Sequence, residues 1–386
     1  MILRICGMGW ITPLGGGVDP VWQRLLRGDE AQPEQIKDQF NERSYCVFRV
    51  PDSALKALPP HPRLRRASAI SRFAAAAGLE ALNDAGIGID SERAKRTALV
   101  FAISNGGVIY TKRFYRDIVE SGAQSASPLL FPETVFNAPA SHLAAILGIT
   151  GATYTLVGDG AVGALAVRMA EDLMRSSEFD YCLVVGAEEA DWLLCDAYRK
   201  WRLARSQPPV EAFGQRPRGT IVSEGAGAIL LAREGLVGID KTDPGGYYAN
   251  RAALERVARQ TVSNLADAKI DIVISSANGT FVDAAESAAI AQHCGDALVY
   301  TAKPALGESV GASGLWQIII GVKTLLTEEL PPLLHYKSAP SLHVSQSRTK
   351  LSAARRVLAL TCGLNQQVAG VRLRATAKRA STFSSR

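Results

Sequence analysis

One segment constrains the fold strongly, because its hydrophobic period changes twice within a short stretch. Residues 152–157 form an apolar strand pattern that ends in a sharp turn around Gly160. A helical pattern covers residues 164–175, and residues 181–188 form a second apolar strand. The same alternation of strands and amphipathic helices continues along the chain. This order is typical of sheets covered by helices, so the sequence predicts an α/β architecture.

The chain has 386 residues, enough for two ordinary domains or one large layered one. Its 47% hydrophobic and 21% charged residues are typical of a soluble globular protein. The pattern predicts two similar halves, residues 1–235 and 248–374, joined by a turn-rich linker around 240–246. Residues 375–386 are basic and rich in Ser and Thr, which predicts a disordered tail.

Several functional classes are disfavoured by composition. The net charge of +6 comes partly from the chain end, and no basic-plus-aromatic pattern of a nucleic-acid binder is visible. The longest apolar helix pattern contains Gln317 and Lys323, so no membrane span is expected. Six cysteines without C-x-x-C spacing indicate neither zinc nor a disulfide framework, and they fit the cytoplasm. We expect no metal ion and no cofactor.

Six motifs in the right order carry a family resemblance. They are GMGWITPLG at 7–15, SRFAAAAGLEALNDAG at 71–86, SPLLFPETVFN at 127–137, GATYTLVGDGAVG at 151–163, RGTIVSEGAG at 218–227, and Lys303 and Gly307 followed by GASG at 311–314. Together they resemble the β-ketoacyl synthases, which have the thiolase fold. The resemblance implies two similar βαβαβ-type halves in a layered αβαβα arrangement.

The departures from this family carry the functional information. Ketosynthases condense acyl chains with a cysteine nucleophile and two histidines, which help to decarboxylate malonyl units and stabilise the enolate. The resemblance places Gly160 at the cysteine position, Asn278 at the first histidine and Glu308 at the second. Leu364 stands where the family has a gating phenylalanine. None of the three residues that the family uses for condensation is therefore present at its implied position, and whether the chain is an enzyme at all stays open.

Other matched positions have structural interpretations. Glu286 and Lys303 correspond to a glutamate and a lysine near the family's active site, and we expect them to form a structural ion pair here. Asp159 and Glu308 fall at predicted helix starts, where a carboxylate is more often a cap than a catalyst.

The resemblance implies a non-condensing homologue of the chain-length-factor type. Such proteins pair with an active ketosynthase as a heterodimer and shape its acyl tunnel. The setting would be polyketide, polyene or fatty-acid-like biosynthesis on an acyl carrier protein, with an aryl polyene cluster as one candidate. Known chain-length factors often have Gln at the cysteine position, so Gly160 departs from them too.

Two alternatives stay open. The chain could be an enzyme with altered chemistry, such as a thioester hydrolase or acyltransferase that uses Asp159, Asn278 or Glu308. It could also be a structural subunit that binds an acyl carrier protein, since an acidic partner is compatible with the positive charge.

Two further expectations concern the interface between partners. By resemblance, the strand at 152–157 pairs across a dimer axis. The helical pattern at 108–119 places Tyr110, Phe114 and Ile118 on one face. These three side chains are candidates for the tunnel wall, with an ordinary core stripe as the alternative.

Overall fold

The apolar runs become strands and the amphipathic runs become helices in a computed structural model, which describes residues 2–38, 40, 42–337 and 341–376. The strands are β1 Arg4–Thr12, β2 Gly15–Gly16, β3 Pro33–Lys37, β4 Ser44–Phe48, β5 Thr97–Ile103, β6 Thr153–Val157, β7 Tyr181–Glu188, β8 Val222–Ser223, β9 Gly225–Ala232, β10 Val237–Tyr247, β11 Ile272–Ile274, β12 Leu298–Tyr300, β13 Glu329–Leu330, β14 His343–Val344, β15 Thr349–Lys350, β16 Arg356–Cys362 and β17 Gln367–Ala375. The helices are α1 Val18–Leu26, α2 Ala69–Asp84, α3 Glu92–Lys95, α4 Val108–Ser121, α5 Ala138–Leu147, α6 Val162–Leu173, α7 Trp192–Lys200, α8 Arg251–Leu265, α9 Val282–His293, α10 Lys303–Leu306 and α11 Val310–Thr327.

Two halves of the chain repeat one strand order. The first half is ordered β6-β5-β7-β9-β1 and the second β12-β11-β16-β17-β10. When the strands of each half are counted along the chain, both orders read 3-2-4-5-1. The halves meet where β1 and β10 pair antiparallel, with Arg4 opposite Gly238 and Ile5 opposite Val237. The predicted pair of similar halves is therefore present in the architecture.

Helices lie between the two halves of this sheet and cover each half. The central helices α6 and α11 contact each other and strands from both halves, while α2 covers the first half and α8 the second. The central helices approach each other closely. A Cβ added to Gly163 would lie only 3.2 Å from the Cα of Gly314. Gly314 thus permits close packing of the two helices. The layers follow the order αβαβα, which confirms the predicted fold class.

Helix α11 is long and apolar enough to cross a membrane by length and composition alone. However, 83% of this 18-residue segment is buried, and the helix contacts strands of both halves of the molecule.

The predicted linker at 240–246 is wrong, because this segment lies inside β10. Strand β10 pairs with β17 along most of its length. The turn signal of Pro244 and Gly245 is absorbed as an irregularity, where the register shifts between Asp243 and Gly246. The proposed division of the chain on either side of this strand stays a prediction.

The predicted tail at 375–386 needs a partial correction, because Ala375 is the last residue of β17. Arg372 and Arg374 belong to β17 and form ion pairs with Asp240. They are structural residues and do not contribute to a free basic tail. Ala375 ends the strand, and the predicted tail beyond residue 376 lies outside the described residues.

Candidate functional site

A cavity of about 700 Å³ lies where the two halves meet. Its buried lining residues include Asp159, Glu308 and Cys362, and its exposed lining residues include Trp201 and Tyr247. Between these two ends the wall is largely apolar, with Val108, Leu193, Leu194, Leu203, Val310 and Leu364. The cavity thus runs from an aromatic entrance to a buried polar end.

Gly160 lies at the buried end, in the turn between β6 and α6. A Cβ added there would meet its nearest atom, the Cα of Gly363, at 3.5 Å, which is ordinary van der Waals contact. The backbone of Gly160 is also not in the left-handed region. Neither space nor conformation therefore requires a glycine, and a side chain at this position would fit.

Asn278 and Glu308 meet in a closed hydrogen-bond network beside this end. The Asn278 amide donates to Oε2 of Glu308 at 2.7 Å, and its own Oδ1 accepts from the Thr280 hydroxyl at 2.7 Å. Glu308 Oε1 accepts from Lys303 Nζ at 2.6 Å and from Ser313 Oγ at 2.8 Å. The structure thus brings the two implied histidine positions together, and the side chain at each has its hydrogen-bond partners within the protein.

The expected ion pair between Glu286 and Lys303 is wrong. Lys303 pairs with Glu308, while Glu286 accepts hydrogen bonds from the hydroxyls of Ser275 and Ser276. The cap interpretation of Glu308 is wrong as well, because its oxygens bind side chains and no helix N–H.

Burial shifts the pKa values of three ionisable side chains at the buried end of the cavity. Burial lowers the pKa of Lys303 from its ordinary value, although the adjacent Glu308 carboxylate opposes that shift. Burial raises the pKa of Asp159 to about 6, against backbone hydrogen bonds that lower it. Tyr198 also lines the cavity, and burial raises its pKa well above the usual range, with the charge of Glu308 adding to the effect. The tyrosine therefore stays neutral at physiological pH.

Cys362 is a cavity residue that sequence reasoning missed as a candidate nucleophile. It ends β16, at the turn leading to Leu364, and lines the cavity with Asp159. Burial raises the pKa of its thiol well above the usual range, and the neighbouring Glu286 carboxylate adds to the shift. Since the thiolate is the reactive form, Cys362 is a poor substitute nucleophile.

The histidines lie elsewhere. His142 Nε2 lies 2.6 Å from Glu133 Oε1, and His335 Nε2 lies 2.6 Å from Glu30 Oε2. In the described part of the chain no histidine lines the cavity, and no group of three His, Cys, Asp or Glu side chains is arranged to hold a metal ion.

The candidate tunnel residues do not line the cavity. Tyr110, Phe114 and Ile118 are half-buried on α4, and Val108 at the start of this helix is the one that reaches the cavity. The Phe114 ring packs against Phe131 with centroids 5.7 Å apart. None of the three belongs to the hydrophobic core clusters of the described residues, so a core stripe is not their role in this chain. Their place in a tunnel stays a prediction.

Two family descriptions match the chain. Beta-ketoacyl synthase, N-terminal domain, matches residues 3–235, and Beta-ketoacyl synthase, C-terminal domain, matches residues 235–337. The chain belongs to the β-ketoacyl synthase family.

Its relatives within that family are distant. Nodulation protein E of Rhizobium leguminosarum bv. trifolii is 25% identical over 363 residues, covering 86% of this chain and 88% of the relative. A 3-oxoacyl-[acyl-carrier-protein] synthase 2 of Vibrio harveyi is 24% identical over 364 residues, covering 86% and 87%. Among solved structures, the ishigamide ketosynthase/chain length factor aligns with a TM-score of 0.84 at 20% identity, over 97% of this chain and 99% of that one. This last likeness supports the fold alone.

Proposed function

We propose that this chain is a non-condensing β-ketoacyl synthase homologue of the chain-length-factor type. It pairs with an active ketosynthase and shapes the acyl tunnel of the pair, in polyketide, polyene or fatty-acid-like biosynthesis. The observation that carries the proposal is the buried end of the cavity. A glycine occupies the nucleophile turn there, and a closed network of Asn278, Glu308 and Lys303 stands at the implied histidine positions.

This network opposes condensation chemistry for two reasons. Glu308 is held as the ion-pair partner of Lys303, so a carboxylate faces the place where a malonyl carboxylate or an enolate would carry negative charge. Like charges repel, and the network contains no imidazole to donate a proton or a hydrogen bond to the developing anion. Cys362 does not restore the chemistry, since its thiol stays protonated.

The proposed partner surface centres on β6. This strand pairs with β5 on one side, and in the described structure its other edge has no strand neighbour. Tyr154 and Val157 are 44% and 54% exposed. Further apolar side chains are exposed on α4 and on the segment that follows it, namely Tyr115, Val119, Leu129, Phe131, Val135 and Phe136. An open strand edge together with exposed apolar side chains favours a partner of the same fold, which offers its own β6 edge.

The proposed carrier-protein surface is basic. Arg65, Arg66 and Arg113 line a surface depression, where they outnumber its two acidic residues, Asp117 and Glu133. Helix α4, which carries Arg113, reaches the cavity through Val108, so an acidic carrier protein bound there would lie near the cavity. The six cysteines are unpaired, which suits the cytoplasm proposed for this pathway.

A second candidate function, thioester hydrolysis, is favoured by one observation. Asp159 is a carboxylate at the buried end of the cavity, with a pKa raised to about 6 by burial, in the range useful for a general base. Both of its oxygens accept backbone N–H groups, however, which favours a structural role.

The test is reconstitution with an intact ketosynthase of the same biosynthetic pathway. Co-expressed chains should purify as a one-to-one complex, and the complex should make products of defined length that the ketosynthase alone does not make. A matched control replaces Arg65 and Arg66 by Glu, which should weaken carrier-protein binding and leave the complex assembled. Failure of the two chains to associate, or release of free acid from an acyl thioester by this chain alone, would replace the proposal with the hydrolase or the carrier-binding alternative.

A further inference from the structure

The turn between β16 and β17 forms part of the cavity wall. We call residues 363–366 the 363–366 loop, and its Leu364, Gly363 and Asn365 line the cavity. Gln366 in this loop has φ of 77°, a left-handed conformation that a residue with a side chain adopts at a cost. Such a conformation persists only when surrounding contacts fix it. The contacts that fix this loop come from two sides.

One side is Tyr248, which follows β10. Its hydroxyl donates to the carbonyl oxygen of Gly363 at 2.6 Å, and its backbone N–H donates to the carbonyl oxygen of Gln366 at 2.9 Å. Both ends of the loop are thus tied to the second half of the molecule.

The other side is Asp159, in the turn before α6 of the first half. Its Oδ2 accepts from the backbone N–H of Asn365 at 3.0 Å. Oδ1 accepts from the N–H of Ala161 at 3.1 Å, which orients the carboxylate. One side chain therefore bridges the two halves across the buried end of the cavity.

Gly363 fits against this carboxylate so closely that no larger residue is accommodated. A Cβ on Gly363 would lie 1.9 Å from Oδ2 and 2.1 Å from Cγ of Asp159. The arrangement thus depends on three groups together. They are the Asp159 carboxylate, the Asn365 N–H that donates a hydrogen bond to it, and Gly363, whose missing side chain leaves space for the carboxylate.

We propose that Asp159 is a latch that fastens the 363–366 loop and so holds Leu364 in the cavity wall. Asp159 acts through the loop, as a positioning residue. While the Asp159 carboxylate accepts the hydrogen bond from the Asn365 N–H, Leu364 stays in one position in the cavity wall. Passage of an acyl chain beyond Leu364 requires this hydrogen bond to break. The inference concerns the geometry of the loop and holds whichever ligand the cavity takes, so it can fail or succeed independently of the proposed function.

Native-state amide hydrogen exchange of the full chain, followed on peptides spanning the loop, tests the latch. In Asp159→Ala, exchange at the Asn365 N–H should accelerate by roughly ten- to a hundredfold, the factor implied by losing a hydrogen bond to a charged acceptor. The matched control is Asp271→Ala, because Asp271 accepts hydrogen bonds from the backbone N–H groups of Arg355 and Arg356 at the start of β16. That variant should accelerate exchange near residue 355 and leave the loop unchanged.

Gly363→Ala provides a second, independent arm. Alone it should accelerate exchange across the loop, since its methyl group overlaps the Asp159 carboxylate. In the double variant Asp159→Ala, Gly363→Ala the overlap is gone, so the two effects on the unfolding midpoint should be clearly less than additive. Unchanged loop exchange in Asp159→Ala, or additive effects in the double variant, would overturn the latch.

Discussion

At the scale of single residues, the sequence identified the positions that differ from the family but not their partners. Gly160 and Glu308 were found because each falls inside a motif whose spacing is kept, whereas the block around Asn278 is shorter than in the family. The pairing of Glu308 with Lys303 was not predicted, because it depends on the backbone reversal at Gly307, which has φ of 77°. Cys362 was missed because its proximity to Asp159 arises from a contact between the two halves.

Gly160→Cys should fold normally, because the new Cβ meets only ordinary contacts and the backbone is not left-handed. Replacing a glycine under these conditions stabilises a protein by about 0.4–1 kcal/mol through the unfolded state. We therefore expect an unchanged or slightly raised thermal midpoint, measured by differential scanning calorimetry, and no condensation of malonyl units. The matched control Gly363→Cys, where the added Cβ overlaps Asp159, should lower the midpoint. Condensation by Gly160→Cys at the rate of an intact ketosynthase would refute the proposed function.

Asp159 predicts a specific pH dependence of stability. Burial raises its folded-state pKa from 3.8 to about 6, so ionisation costs more in the folded than in the unfolded chain. The groups around it, Glu308, Tyr198, Tyr248 and Cys362, supply no positive charge. The contribution of this group to stability is therefore full below about pH 4 and is lost as the pH rises through 6.

Asp159→Asn removes this titration. Relative to that variant, the free energy of unfolding of the unmodified chain should fall by at most about 3 kcal/mol between pH 4 and pH 7. Urea unfolding at a series of pH values measures the difference. Parallel pH profiles for the two proteins would show that Asp159 does not titrate as described.

At the scale of elements, the hydrophobic periods predicted the main strands and helices, but one turn signal was misread. Asp243, Pro244 and Gly245 have the composition of a loop, and sequence alone carries no information about the strands on either side. Pairing of β10 with β17 overrides this local signal, and the extra residues are taken up as an irregularity of register. Helix α4 was predicted correctly, although its half-buried face depends on neighbours that the sequence does not name.

Because one edge of β6 has no strand neighbour in the described structure, we expect assembly through this edge. One charge added to the strand should disrupt that assembly. Tyr154→Lys introduces a charge at a 44% exposed position of this strand and should shift the assembly to monomers. Leu326→Lys is the matched control, because Leu326 is 43% exposed but lies near the end of α11. Sedimentation velocity at micromolar concentration distinguishes the two. If the unsubstituted chain sediments as a well-folded monomer, the proposed dimer is contradicted.

The tunnel hypothesis makes a prediction about α4. Phe114→Ala in the reconstituted pair should leave the complex intact and shift products to longer chains, as should Tyr110→Ala. Because Phe114 is only half-buried, its loss should cost less than the roughly 3–5 kcal/mol that a fully buried phenylalanine costs. Tyr115→Ala is the matched control, since this neighbouring side chain is 61% exposed. Product lengths are measured by mass spectrometry, and unchanged lengths in a stable Phe114→Ala complex would exclude these residues from the tunnel.

At the scale of the whole molecule, the layered architecture followed from the family resemblance and not from residue periodicity. Local patterns do not encode that both halves share the strand order 3-2-4-5-1, because this order arises from pairing between distant strands. The closeness of the central helices at Gly163 and Gly314 likewise becomes visible only in three dimensions. The site could be predicted as a set of replaced positions, whereas its closed network of hydrogen bonds required the structure.

The central claim is that this chain holds no acyl group and leaves condensation to its partner. Intact-mass spectrometry of the reconstituted pair, after incubation with an acyl-carrier thioester, tests it most directly. We expect the acyl mass increment on the partner ketosynthase alone, with the mass of this chain unchanged. A stable acyl increment on this chain, or a condensation product formed by this chain without its partner, would contradict the account.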